Sequence, residues 1–492
     1  MKRLAKFLTL LVLLTSAATG AWADEVITAE TTTFENGKTY CVESSVTISS
    51  RITVSGSATL LLKDGYTLTA GGGIELSTGN QLTIYGEANN SGKLVTTGEK
   101  EKAGIGAYRC GDLTIYGGTI NATGGDDAAG IGGSKNSLSS GTITINGGII
   151  NATGGERGAG IGGGSGSSWA GAYGQCGTIV INGGQVTATG VNRAAGIGPG
   201  YDSENEDNTS GSLTIRWSRA TDFIKASSLS NTYGRTLSSI TLAYAFVDDD
   251  GTVHTNTSQG TLDGKTLRPA VGLKDDADNT AMLAKASGMT LPAMLEGRTL
   301  QTGGWNTFCA PFSIATPTGW TVKELSGSSL TDGTLTLTFA TASSIVAGKP
   351  YLVKVTSAVA NPTYSGVTIA NGTTTTETTY ADFVPVMNPT ALTGGDKTVL
   401  FVSGGNKLTY PTADGNINAF RAYFRLKDDA AAARAFSMTF DDDATGTEGI
   451  YDLQIYDLRF ASGIYTLDGR RVEGQPAEKG VYIVNGKKIV VK

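Results

Sequence analysis

Between Leu82 and Ile215 the apolar residues come in short alternating pieces rather than helical stripes. In Thr142-Ile143-Thr144-Ile145-Asn146, the two isoleucines fall on one face and Thr142, Thr144 and Asn146 on the other, the period of an extended strand. The same apolar-Thr-Ile piece occurs at Leu82, Leu113 and Leu213, and Ile179-Val180-Ile181 carries Val in place of Thr. A second piece, Ile120-Asn121-Ala122-Thr123, returns at Ile150 and as Val186-Thr187-Ala188-Thr189. A third, Ala-Gly-Ile-Gly, starts at Ala103, Ala129, Ala159 and Ala195. The period is about thirty residues, the range of a solenoid.

Three strands and three Gly-rich corners make one triangular coil, so the pattern predicts a right-handed parallel β-helix in an all-β chain. Stacked coils would set Ile131 on Ile161, Ile145 on Ile181 and Ile150 on Val186, about 4.8 Å apart. One coil buries too little alone, which is why the phrase recurs. Helical repeats are the rival solenoid, but Gly and β-branched residues are poor helix formers and no 3.6-residue pattern appears. Weaker copies run back to about Thr47, so residues 24–225 are expected to form the β-helix, with 24–46 as an N-terminal cap.

The repeat stops after Phe223. Residues 226–297 read as a β-hairpin, turning at Asp250-Gly251, and a connector from Leu273 to Gly297. From 298 to 445 strand signals recur (TLTLTFA, PYLVKVT, TVLFVSG, FRAYFRL, AFSMTF), the pattern of an antiparallel β-sandwich-like module. Residues 446–492 remain for a small C-terminal β-domain.

Composition and charge narrow the address. The 492 residues include 69 Gly but only 11 Pro, without the three-residue period of collagen. Lys2, Arg3 and Lys6, the apolar run Phe7–Leu14 and the small-x-small site Ala21-Trp22-Ala23 read as a signal peptide over 1–23. Its removal takes the formal charge from −6 to −9 and argues against nucleic acid and anionic membranes as partners. No segment is long and apolar enough for a transmembrane helix. Four cysteines are too few for a disulfide framework, and none makes a C-x-x-C pair. Cys110 and Cys176 sit at equivalent positions two coils apart, about 9.6 Å by strand spacing, so both are expected to stay thiols.

Two resemblances add lineage. Gly303–Ile314 (GGWNTFCAPFSI), Ile345–Val355 (IVAGKPYLVKV) and Ile417–Leu426 (INAFRAYFRL) resemble a module common in exported proteins of gut and oral Gram-negative bacteria, which implies no activity. The tail, Gly463–Val472 (GIYTLDGRRV) and Lys479–Lys492 (KGVYIVNGKKIVVK), resembles the C-terminal sorting domains of the type IX secretion system. Gly480, Tyr482, Gly486, Lys488 and Lys492 match that pattern, although the tail is shorter than many such domains. With the Gly-rich AGIGG repeat, the chain resembles exported Gram-negative repeat proteins. That implies a secreted or outer-membrane cell-surface location and the secretion machinery as a partner of the tail; a hairpin that simply ends the chain is the plainer alternative.

Candidate chemistry is sparse. The single His254 lies on a polar strand, where a surface role is the default, and no nucleophile elbow, zinc-protease or phosphate-loop motif is present. Asp126 and Asp127 share a corner column with Glu156-Arg157 and Asn192-Arg193, which reads as coil-to-coil ion pairing before it reads as a glycosidase pair. The runs Asp248–Asp250, Asp275–Asp278 and Asp441–Asp443 lie at turns and do not fit a spaced calcium loop, so no metal and no cofactor is expected.

Aromatic residues are the stronger candidates. Tyr108, Trp169, Tyr173 and Tyr201 lie in the loops after the Ala-Gly-Ile-Gly pieces, and Tyr85 and Tyr116 should point outward on adjacent coils. Flat rings near Asn and Asp stack on and hydrogen-bond sugars; alternatively they cover the rims of their own loops. The outward threonines Thr83, Thr114, Thr144 and Thr214 resemble water-ordering arrays, but Val180 interrupts them. The expectation is a non-catalytic, adhesin-like or glycan-binding surface protein, with a polysaccharide hydrolase or lyase and a structural spacer as alternatives.

Overall fold

A computed structural model describes residues 25–138, 141–166, 174–201, 211–231, 236–255, 263–442, 464–466, 471–472, 480–484 and 487–491. The chain divides into two compact units, 1–299 with 360–371, and 300–359 with 372–492.

The first unit is built on a parallel β-helix of three sheets. Its first sheet stacks nine strands, from Glu25–Val26 through Gln81–Gly86, Asp112–Ile115, Thr142–Ile145 and Thr178–Ile181 to Ser239–Leu242, all parallel. The second runs parallel from Val46–Ile48 to Phe223–Ala226, and the third from Thr33–Phe34 to Ile197–Gly198. The anticipated ladders form: Ile131 is in register with Ile161, Ile145 with Ile181 and Ile150 with Val186, and all six are buried.

Both ends differ from expectation. Residues expected to cap the helix instead supply a coil of their own, because Thr39–Val42 pairs in register with Thr59–Leu62 and buries Tyr40, Cys41 and Val42. At the far end Thr266–Pro269 pairs antiparallel with Phe223–Ala226 and ends the parallel run. Trp217 is fully buried there, with its indole N–H donated to the Ala245 carbonyl at 3.1 Å. The Lys285 ammonium lies 4.9 Å from the Trp217 ring centre and 5.0 Å from that of Tyr244.

The expected connector is also replaced by regular structure. Val271–Lys274 and Thr290–Glu296 pair in parallel around a short helix, Thr280–Ala286, and Thr363–Thr368 adds antiparallel to Thr290–Glu296. Seven helical residues are too few to show a period. The turn before them is closed by Asn279, whose side chain bonds both the N–H and the carbonyl of Lys274.

In the second unit two five-stranded sheets enclose one core. Leu335, Leu337, Phe339 and Leu352 come from one sheet and Phe383, Leu400 and Phe424 from the other. Phe383 and Phe424 stack at 4.4 Å, and Phe339 meets both edge-on at 6.2 Å. The sandwich is not purely antiparallel: Ala435–Phe440 returns beside Thr334–Thr341 in parallel. Alternation shows which residues face inward but not the direction of a partner strand. The tail contributes a separate antiparallel sheet in the order Arg471–Val472, Ile464–Thr466, Gly480–Val484, Lys487–Val491.

Acidic residues from the runs serve the fold. The buried Lys323 ammonium is held by Asp441 at 2.5 Å and Asp442 at 2.7 Å. The bond to Lys323 and the Thr341 N–H hold the Asp441 carboxyl well below the usual range. Its folded-state value is depressed, so its stabilisation is complete above the unfolded-state value of about 3.9 and is lost as pH falls through the lower folded value. Urea midpoints of the wild type should therefore drop between pH 4 and pH 2 by more than those of Asp441→Asn; parallel curves would remove this role from the carboxylate.

Candidate functional site

The outer surface of the β-helix carries three polar features. The first is a corner column in which Glu101, Asp127, Arg157 and Arg193 occupy successive coils, each with positive φ (64°, 67°, 67° and 79°). The buried Asp127 carboxylate meets Arg157 at 2.8 Å and Lys135 at 3.3 Å, and Lys135 also reaches Glu101 at 2.7 Å. Asn192 donates to Glu156 at 3.2 Å. This is the coil-to-coil pairing the sequence pattern suggests, and it occupies Asp127 with cations. Likewise Asp248 meets His254 at 3.0 Å, Asp249 meets Arg268 at 2.7 Å and Asp250 meets Lys265. Among the described residues no cluster of three or more metal-ligating side chains forms.

The second feature is the outward face of the first sheet. Thr83, Thr114 and Thr144 line one column, continued by Val180, Thr214 and Thr241. Tyr85 and Tyr116 stack there with ring centres 4.8 Å apart and planes within 3°. Coplanar rings side by side could not approach so closely, so this is an offset stack in which one face of each ring covers the other. Burial, and Tyr116 after it, raise the Tyr85 hydroxyl above its ordinary value. Part of the flat surface expected to meet a sugar is thus spent within the protein.

The third feature is a cleft of about 280 Å³ beside the third sheet, lined by Arg51, Glu75, Thr78, Lys102, Tyr108 and Arg109 among others. Its wall is organised by Arg51, whose side chain is 10% exposed. The guanidinium donates to Glu75 at 3.3 Å and to the carbonyls of Gly72, Ala103, Ile74 and Gly106 at 2.8, 2.9, 3.3 and 2.7 Å. All five of its N–H donors are used, so Arg51 shapes the cleft and has none left for a ligand. Tyr108 stands at the mouth, 46% exposed.

Among the described residues, the predicted aromatic side chains therefore do not converge. Tyr85 and Tyr116 share the first sheet's face, whereas Tyr108 belongs to a strand of the third. Tyr201 follows the third sheet's strand Ile197–Gly198, three coils beyond Tyr108 and about 14 Å along the axis. It is half-buried, with the Arg157 guanidinium 5.9 Å from its ring centre. Trp169 and Tyr173 lie outside the described residues. Sequence reasoning missed Arg51, Glu75, Lys102 and Arg109. One signal was available: the copy at Ala103 continues Ala-Tyr-Arg where the next two copies continue Gly-Ser and Gly-Gly.

All four cysteines are buried thiols, and burial pushes Cys110 up to about 12 and Cys41 up to about 11.

Comparison with curated proteins and with solved structures returned no match. A family described as a Beta helix repeat matches at 113–135, 143–165 and 179–201. Each match runs from an apolar-x-Ile strand of the first sheet to three residues past an Ala-Gly-Ile-Gly piece in the third. Three matches in successive coils, on strands that stack in parallel, identify residues 113–201 as β-helix repeats.

Proposed function

We propose that this is a secreted or cell-surface, non-catalytic protein, adhesin-like in its role, that binds a polysaccharide or host glycan through its β-helix. The observation that carries the reading is Tyr108, an exposed ring at the mouth of a cleft that also holds the hydroxyl-bearing side chains Ser77 and Thr78. An aromatic face beside a few hydrogen-bonding groups is the usual composition of a sugar site. The leader over 1–23 and the sorting-like tail support export, with the secretion machinery as the tail's partner. The engagement of Asp127 with two cations favours binding over glycan cleavage at that corner.

The test is a glycan array probed with the full mature chain. At least one oligosaccharide should bind, and Tyr108→Ala should weaken it about tenfold, roughly 1.4 kcal/mol, without lowering the melting temperature. Tyr85→Ala should leave binding unchanged. An array with no positive glycan leaves a spacer role in place of this one.

A further inference from the structure

Several cations on the β-helix surface are matched by acids, as with Lys135 to Glu101, Arg157 to Asp127 and Lys63 to Glu43. The Tyr108 cleft gathers cations instead. Three cations line it, Arg51, Lys102 and Arg109, against the single carboxylate of Glu75. Glu75 is already engaged by Arg51 at 3.3 Å and by the Ser77 hydroxyl at 3.3 Å. Among the described residues the exposed side chains of Lys102 and Arg109 have neither an ion pair nor a hydrogen-bond partner. A protein with a formal charge of −6 thus presents two cations without a contacting acid in the same cleft as an exposed tyrosine, with Glu101 acting on Lys102 only through space.

We infer that the cleft takes an acidic sugar, a pyranose ring bearing a carboxylate, which rests on the glycan-binding reading above. The ring stacks on Tyr108 while its carboxylate meets Arg109 and Lys102. The planar Arg fork matches the two oxygens of a carboxylate, and Lys adds a mobile point charge. The Ser77 and Thr78 hydroxyls, which donate to Glu75 and to the Arg109 carbonyl, keep lone pairs that can accept from the ring's own hydroxyl groups. At about 280 Å³ the cleft lies at the lower end for ligand sites, which suits one ring rather than a long chain segment. The fixed wall formed by Arg51 holds the cleft's shape before the ligand arrives.

Two sources offer this chemistry, a uronic acid of a polysaccharide and a sialic acid of a host glycan, and the titration separates them. The full mature chain is titrated with trigalacturonate and its methyl ester, and with sialyllactose and lactose. One acidic ligand should bind at least tenfold more tightly than its neutral counterpart, and the preference should shrink as salt rises from 50 to 500 mM. The double variant Lys102→Met/Arg109→Met should lose that preference with an unchanged melting temperature. Equal binding of acid and neutral forms, unaffected by the double variant, overturns the charge inference and leaves glycan binding standing. Absence of binding by all four ligands, with a positive neutral glycan on the array, also overturns it; absence with an empty array removes both readings.

Discussion

Gly132→Ala is expected to cost on the order of 4 kcal/mol or more, enough to stop the β-helix from folding as one block. Gly106, Gly132, Gly162 and Gly198 form a column on the third sheet with φ of 141°, 128°, 138° and 139°. L-residues avoid that region, which alone costs about 1–3 kcal/mol. A second penalty adds to it: a Cβ at Gly132 would fall well inside contact distance of the Gly162 carbonyl oxygen on the next coil. That oxygen cannot step aside, because Gly162 is itself in register with Gly198. Gly37→Ala is the control, with φ of 78° but no atom within 4 Å of the new methyl, and it should cost only about 1–2 kcal/mol. Urea midpoints of residues 24–492, or yield of folded protein where no midpoint survives, compare the two. If Gly132→Ala matched Gly37→Ala, the coils would not stack as closely as the register requires.

That column also explains why so much of the β-helix could be read from residues alone. The Ala-Gly-Ile-Gly phrase recurs because each of its positions has a single physical solution. The Ala and Ile face a closed interior, and in the copies at Ala103, Ala129 and Ala159 a Cβ on either Gly would strike a backbone carbonyl. The alternating strands were equally legible, since Ile143 and Ile145 must sit inward together. What stayed hidden depends on partners far away in the chain. Nothing local in Ala435–Phe440 says that it pairs in parallel with Thr334–Thr341, about a hundred residues earlier. The expected cap, 24–46, lacks the Gly-rich phrase, yet its described residues supply a coil because Tyr40, Cys41 and Val42 fill the interior as well as isoleucines do.

The candidate site divides the same way. Tyr108 was visible as an aromatic residue in a loop, but its neighbours were not, because Arg51 enters from two coils away and Glu75 from one. Tyr85 and Tyr116 were correctly placed outward on adjacent coils, while the stacking of their faces on each other appears only once both side chains have positions. Side-chain direction follows from a two-residue period; ring orientation and charge compensation follow from three-dimensional neighbours.

Arg51→Met should destabilise the β-helix by about 3–5 kcal/mol and, on the glycan-binding proposal, abolish binding at the Tyr108 cleft. Methionine matches the length of the arginine stem but donates nothing. Four carbonyls, on Gly72, Ile74, Ala103 and Gly106, would lose a charged donor, and Glu75 would remain without its cation. Because Ile52, Ile74 and Ile105 mark successive coils of the third sheet, one guanidinium ties three of them together. Coils that contact only their neighbours gain most from such a long-reaching tie, since it couples segments that would otherwise open independently. Arg51→Lys keeps the charge with three donors in place of five and should lose roughly half as much. Hydrogen exchange locates the effect: protection should fall across residues 52–109 in Arg51→Met and stay at the wild-type level in the sandwich strands Thr334–Thr341 and Arg421–Leu426. An Arg51→Met protein with wild-type stability and protection would mean that the five hydrogen bonds contribute nothing, and that the cleft wall is held by coil stacking alone.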